Sequence, residues 1–103
     1  MVTEGQVIEK LKEVYDPEIF INVYDLGLIY SIEIKPGQPG AKGDIVHIRM
    51  TLTFQGCPLG TMITGMVEEK IKFMEGVGEV QVELTFDPPW NRDMIKWENI
   101  KKQ

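Results

Sequence analysis

Three stretches of this chain alternate apolar and polar residues with a period of two, and each is apolar on one side only. Leu28, Tyr30, Ile32 and Ile34 oppose Ser31 and Glu33. Val46, Ile48, Met50, Leu52 and Phe54 oppose His47, Arg49, Thr51 and Thr53. Val80, Val82, Leu84 and Phe86 oppose Gln81, Glu83 and Thr85. Strands of this kind need a layer of helices on the apolar side and leave the other side to water.

The segments between them supply those helices. Thr3 and Gln6 have the spacing of a capping box. Val7, Ile8, Leu11, Val14 and Tyr15 then recur at helical spacing as far as Asp16-Pro17, where the residue before proline is driven out of the helical region. Glu18 to Gly27 has no clean period, but it is too apolar to wave in solvent and reads as an ordered loop. A second stripe comprises Leu59, Met62, Ile63, Met66, Val67, Ile71 and Met74, closed by Gly76-Val77-Gly78. Its methionines read as core packing. After Asp87-Pro88-Pro89, Asn91 is placed to cap a short last helix carrying Met94 and Trp97, with Trp90 and Trp97 anchoring the segment.

The order α-β-β-α-β-α predicts an α+β two-layer sandwich, with a mixed three-stranded sheet and helices on one face. The Pro/Gly-rich stretch 35–43 joins the first two strands as an antiparallel hairpin. The second helix is a right-handed crossover to a third strand parallel to the second. At 103 residues, 43% hydrophobic and 26% charged, the chain reads as a single globular domain over 1–103. No apolar run predicts a membrane span or a signal peptide. A single cysteine excludes an intramolecular disulfide framework and points to a reducing, cytoplasmic setting. Eleven basic against sixteen acidic residues, a net charge of −5, oppose binding to nucleic acid or an anionic membrane.

The stretch Met50 to Gly60 carries the most chemistry. Gly56 permits a tight turn, and Pro58 suits a first helical position. Cys57 would then be the N-cap, where the free N–H groups and the helix dipole favour a thiolate. Alternatively Thr61 is the cap and Cys57 stays in the loop, or Cys57 is a small buried hydrophobe. Thr51 and Thr53 are expected on the polar sheet face, running toward Cys57 and lining a shallow site with it. The acidic cluster Asp16, Glu18 and Asp25 is a second candidate site, suited to acid–base work or hard-metal binding, or else to local turn hydrogen bonds. His47 lies about 30 Å from Cys57 along an extended chain, which disfavours a Cys–His hydrolase. One cysteine and one histidine do not make a structural zinc or iron–sulfur site, so any cluster is shared between chains or held briefly.

Four motifs in order resemble one family: Asp16-Pro17-Glu18; Asn22-Val23 with Asp25-Leu26-Gly27-Leu28-Ile29; Met50-Thr51-Leu52-Thr53 with Gly56-Cys57-Pro58; and Pro88-Pro89-Trp90. They resemble the small metal–sulfur cluster assembly factors of the SufT and PaaD types and the eukaryotic cytosolic iron–sulfur assembly adaptors. The resemblance implies an iron–sulfur-assembly-type domain and a non-enzymatic role in maturing iron–sulfur proteins. It puts the reactive thiol, and a transient metal contact, on Cys57. The surrounding pocket falls on Asp16, Glu18, Thr51, Thr53, Gly56 and Pro58. Phe54-Gln55 stands where many relatives carry smaller or proline-containing pairs. No stably bound cofactor is implied, only transient iron or a cluster shared between chains. Implied partners are scaffold or carrier proteins and apo clients, and a homodimer is compatible.

Two rivals use the same residues. A thiol enzyme or redox sensor would act through Cys57 but lacks a resolving cysteine. A KH-like RNA-binding module shares the element order, but Gly37 to Gly40, which fits the Gly-x-x-Gly spacing of that family, falls in the hairpin loop.

Overall fold

The computed structural model describes residues 2–53, 56 and 60–100. Helix α1 (Glu4–Leu11) is followed by strands β1 (Ile29–Lys35) and β2 (Asp44–Met50), helix α2 (Gly60–Lys72) and strand β3 (Val77–Leu84). A 3-10 turn (Arg92–Met94) and the short helix α3 (Trp97–Ile100) follow. The sheet order is β1-β2-β3, with β1 antiparallel and β3 parallel to the central β2. This is the α+β architecture and mixed sheet that the periodicity predicts.

Periodicity translates directly into burial on the central strand. Val46, Ile48 and Met50 are fully buried, and they meet Val7 and Leu11 of α1 and Ile63, Val67 and Ile71 of α2 in one core. Each such side chain contributes about 1.5–3 kcal/mol by leaving water. Capping at Thr3 is as expected: its hydroxyl accepts from Gln6 N–H at 3.2 Å, and Gln6 Oε1 accepts from Thr3 N–H at 2.9 Å.

Helix α1 is shorter than its stripe. It ends at Leu11 rather than running to Tyr15, because the chain turns back to pair with itself. Val23 N–H bonds to Val14 O at 2.8 Å, Asp16 N–H bonds to Ile21 O at 3.0 Å, and Tyr15 bridges Asn22. Val14 stays buried while Tyr15 is exposed.

In α2, Ile63, Val67 and Ile71 are buried, but Met62 and Met66 are exposed, so these methionines are not core packing. They lie on the helix flank turned away from the sheet. Leu84, at the end of β3, is exposed as well. The last helix is split: Asn91 Oδ1 caps only the 3-10 turn, accepting from Asp93 N–H at 2.8 Å, and Trp97 begins a separate helix. Trp90 does anchor the segment, donating its indole N–H to Leu26 O at 2.7 Å, whereas Trp97 is largely exposed.

Two bulges shape the sheet. One lies between Ile29 and Ser31 in β1, the other at the start of the β2–β3 ladder. At the second, a Cβ on Gly78 would meet Gly43 N at 2.7 Å, so only glycine admits the close approach of the two strands.

Candidate functional site

The loop between α1 and β1 is a network of satisfied polar groups. Asp16 is 3% exposed, and its Oδ1 accepts from the backbone N–H groups of Glu18 at 2.8 Å and Ile19 at 3.2 Å. This is a turn clasp of the kind aspartate forms with the residues just after it. Glu18 itself points to solvent. Asp25 is buried in a different network: Asn22 Nδ2 donates to its Oδ2 and Asn99 Nδ2 to its Oδ1, both at 2.8 Å. The three carboxylates therefore do not converge. Asp16 and Asp25 hold the loop, and only Glu18 presents a free acid.

The same loop explains why Asp25-Leu26-Gly27-Leu28 reads as a signature. Leu26 and Leu28 are fully buried, and Gly27 has φ +85°. A Cβ at Gly27 would stand 2.3 Å from Met94 O, which no side chain allows. These residues, with Trp90 on Leu26 O, lock the first loop to the C-terminal segment. Asn22 and Asn99 belong to this lock. Asn22 sits three residues before Asp25, the one hint available in the sequence, whereas nothing local points to Asn99.

At the far end of β2 the expected alternation fails. Met50, Thr51 and Leu52 are buried in succession, so Thr51 does not face solvent on the polar side of the sheet. β2 ends at Met50, and Thr51 N–H bonds to Leu28 O at 2.8 Å, carrying the Ile29–Met50 pairing one residue further at the foot of the Asp25–Leu28 loop. Thr53 is half-buried, and Gly56 is exposed with φ +84° and open space around its α-carbon. Cys57 and Pro58 lie outside the described residues. Helix α2 includes Gly60 and Thr61, which rules out Thr61 as its N-cap.

On the open sheet face, His47 is flanked by Glu33 (Nδ1 to Oε1, 3.3 Å) and Glu83 (Nε2 to Oε1, 3.1 Å), with Arg49 also near Glu83. Among the described residues no group of three or more His, Cys, Asp or Glu is arranged to hold a metal ion. An open groove of about 380 Å³ is lined by Glu13, Val14, Met66, Glu69, Lys70 and Phe73. It includes none of the expected site residues. Glu13 and Lys70 pair across it at 3.0 Å, and that hydrogen bond, with help from Lys10, holds the Glu13 carboxyl below its usual range.

The described residues form a small α+β domain in which a hydrogen-bonded loop joins the first helix to a mixed three-stranded sheet. The family model for "Iron-sulfur cluster assembly protein" matches residues 4–84, and the chain belongs to that family. It is 45% identical over 96 residues to an Fe-S protein maturation auxiliary factor of Porphyromonas gingivalis, covering 93% of this chain and 86% of that one. It is 30% identical to the Fe-S protein maturation auxiliary factor SufT of Staphylococcus aureus, covering 80% of this chain and 86% of that one. Its fold matches that of a conserved hypothetical protein of Thermotoga maritima with a TM-score of 0.79 and 42% identity, covering 98% and 93% of the two chains. The resemblance carried by the four motifs is thereby borne out, as is the fold class. No helix among the described residues is long and apolar enough to cross a membrane.

Proposed function

We propose that this chain is a non-enzymatic factor in the maturation of iron–sulfur proteins, acting in the cytoplasm as one domain over 1–103. Cys57 is the working thiol. It contacts iron or a cluster as cargo passed between proteins, or a client directly, and the protein keeps no resident cofactor. The observation that carries this reading is the family match across residues 4–84, which spans the Gly56-Cys57-Pro58 motif.

The surroundings of the turn support the assignment. Gly56 is exposed at positive φ, a backbone state that costs glycine little. Thr51 is fully buried, and its backbone N–H is bonded to Leu28 O, which fixes the end of β2. Thr53 is half-buried, and Glu18 supplies negative charge on a loop whose shape Asp16 sets. The exposed Met62 and Met66 follow within the first two turns of α2 and offer adaptable apolar contact to a scaffold, a carrier or an apo client.

The test is an anaerobic affinity capture from native lysate with wild type and a folded Cys57→Ser variant. Recovery of cluster scaffolds, carriers or apo iron–sulfur proteins by wild type alone is the expected result. Equal recovery by both would reduce the protein to an adaptor whose thiol is incidental. Recovery of neither class of protein would overturn the proposal.

A further inference from the structure

The sheet stops at β3, and among the described residues nothing pairs with the outer edge of this strand. Thr85 N–H bonds to Met50 O at 2.9 Å, which sets the phase of the backbone: alternate residues from Glu79 to Thr85 aim their amides at β2. Val80, Val82 and Leu84 therefore aim theirs outward. Among the described residues, no backbone hydrogen bond reaches 78–84 from outside the β2–β3 ladder. The side chains agree, because Val80 and Val82 are only half-buried and Leu84 is 45% exposed, whereas Val46 and Ile48 on the central strand are at 0%. The opposite edge is blunted by the bulge at Tyr30, whose hydroxyl is tied to Pro88 O at 2.6 Å.

Charge selects what can add to this edge. β3 carries Glu79 and Glu83 on its polar side and neither lysine nor arginine; Glu83 also meets His47 and Arg49 of β2 but remains half-exposed. A second copy pairing antiparallel about Gln81 would set Glu79 against Glu83, and like charges directly opposite are destabilising. A strand with basic residues on that side meets complementary charge instead, while its alternate apolar residues cover Val80, Val82 and Leu84. The carboxylates thus discourage self-pairing and favour one class of visitor.

We propose that the outer edge of β3 is a docking site for an extended segment of a partner protein that alternates Lys or Arg with apolar residues, added to the sheet as a further strand. This inference does not depend on Cys57 or on cluster handling.

The test uses the whole isotope-labelled protein and two capped peptides, Lys-Val-Lys-Val-Lys-Val-Lys and its glutamate counterpart. The lysine peptide is expected to shift the amide resonances of Val80, Val82 and Leu84 and to slow their hydrogen exchange about tenfold, with no response to the glutamate peptide. Val82→Pro removes an outward N–H without touching the β2 ladder, and is expected to abolish the response with the circular dichroism unchanged. Glu79→Lys, on the exposed surface, is expected to weaken the lysine peptide and admit the glutamate one, which keeps the proposal testable should the proline variant not fold. Silence of these amides at millimolar lysine peptide would overturn it, as would equal binding of both peptides. A peptide-free dimer with these amides already protected would also overturn it, by making a second copy the occupant.

Discussion

Asn99 donates its side-chain amide to Asp25 Oδ1 at 2.8 Å, joining α3 to a loop 74 residues earlier in the chain. The bond completes the hydrogen-bonding of a buried carboxylate whose other oxygen is held by Asn22. An acid that the sequence offers as a candidate for chemistry is thereby a structural fastener.

Asp25→Ala leaves the Asn22 and Asn99 amides without their acceptor in a buried setting, so we expect a loss of about 2–4 kcal/mol. Asn99→Ala removes one donor near the surface and is expected to cost about 1 kcal/mol. Urea unfolding of both variants checks the order; an Asp25→Ala protein as stable as wild type would refute the fastening role.

Gly27 and Gly40 both have positive φ, +85° and +89°, but only Gly27 is crowded. Alanine at Gly40 meets open space and is expected to cost about 1 kcal/mol from backbone strain alone. At Gly27 the added carbon also collides with Met94 O, so the loss should reach about 3 kcal/mol or more. Thermal unfolding of the two variants side by side separates strain from collision.

Neighbouring residues of α2 differ sharply in burial: Ile63 is 1% and Met62 51% exposed. Ile63→Ala should cost about 2–5 kcal/mol, because it opens a cavity in the core. Met62→Ala should stay within about 0.5 kcal/mol of wild type. If Met62 and Met66 serve partners, replacing both by serine reduces the capture described above while leaving the unfolding midpoint in place.

Glu13 titrates below its usual range because Lys70 hydrogen-bonds the ionised form and Lys10 adds attraction. A carboxyl lowered in the folded state adds stability that is complete above the unfolded value near 4.5 and is lost as pH falls through the folded one. Lys70→Met should raise the Glu13 midpoint, read by NMR of its side-chain carboxyl carbon, and flatten this part of the acid limb of stability. The effect should shrink in high salt, since both groups are solvent-exposed.

What the sequence determined by itself is whatever repeats locally. A period of two on β2 and a helical period on α1 and α2 dictate which side chains must leave water, and Val46, Ile48, Ile63 and Val67 do so. Thr3 and Gln6 cap their helix using only neighbours within a turn, which is why their role was legible. The family, too, was legible, because its motifs mark tight backbone geometry such as the positive-φ Gly27. Tertiary structure alone decided the rest, wherever a distant backbone group outcompeted local alternation. Thr51 is buried where its N–H meets Leu28 O, and Ile21 O turns Asp16 away from the helix. Asn99 reaches Asp25 across nearly the whole chain. Met62 and Met66 carry helical spacing but face solvent, because a stripe says how wide an apolar face is and not how much of it the sheet can cover.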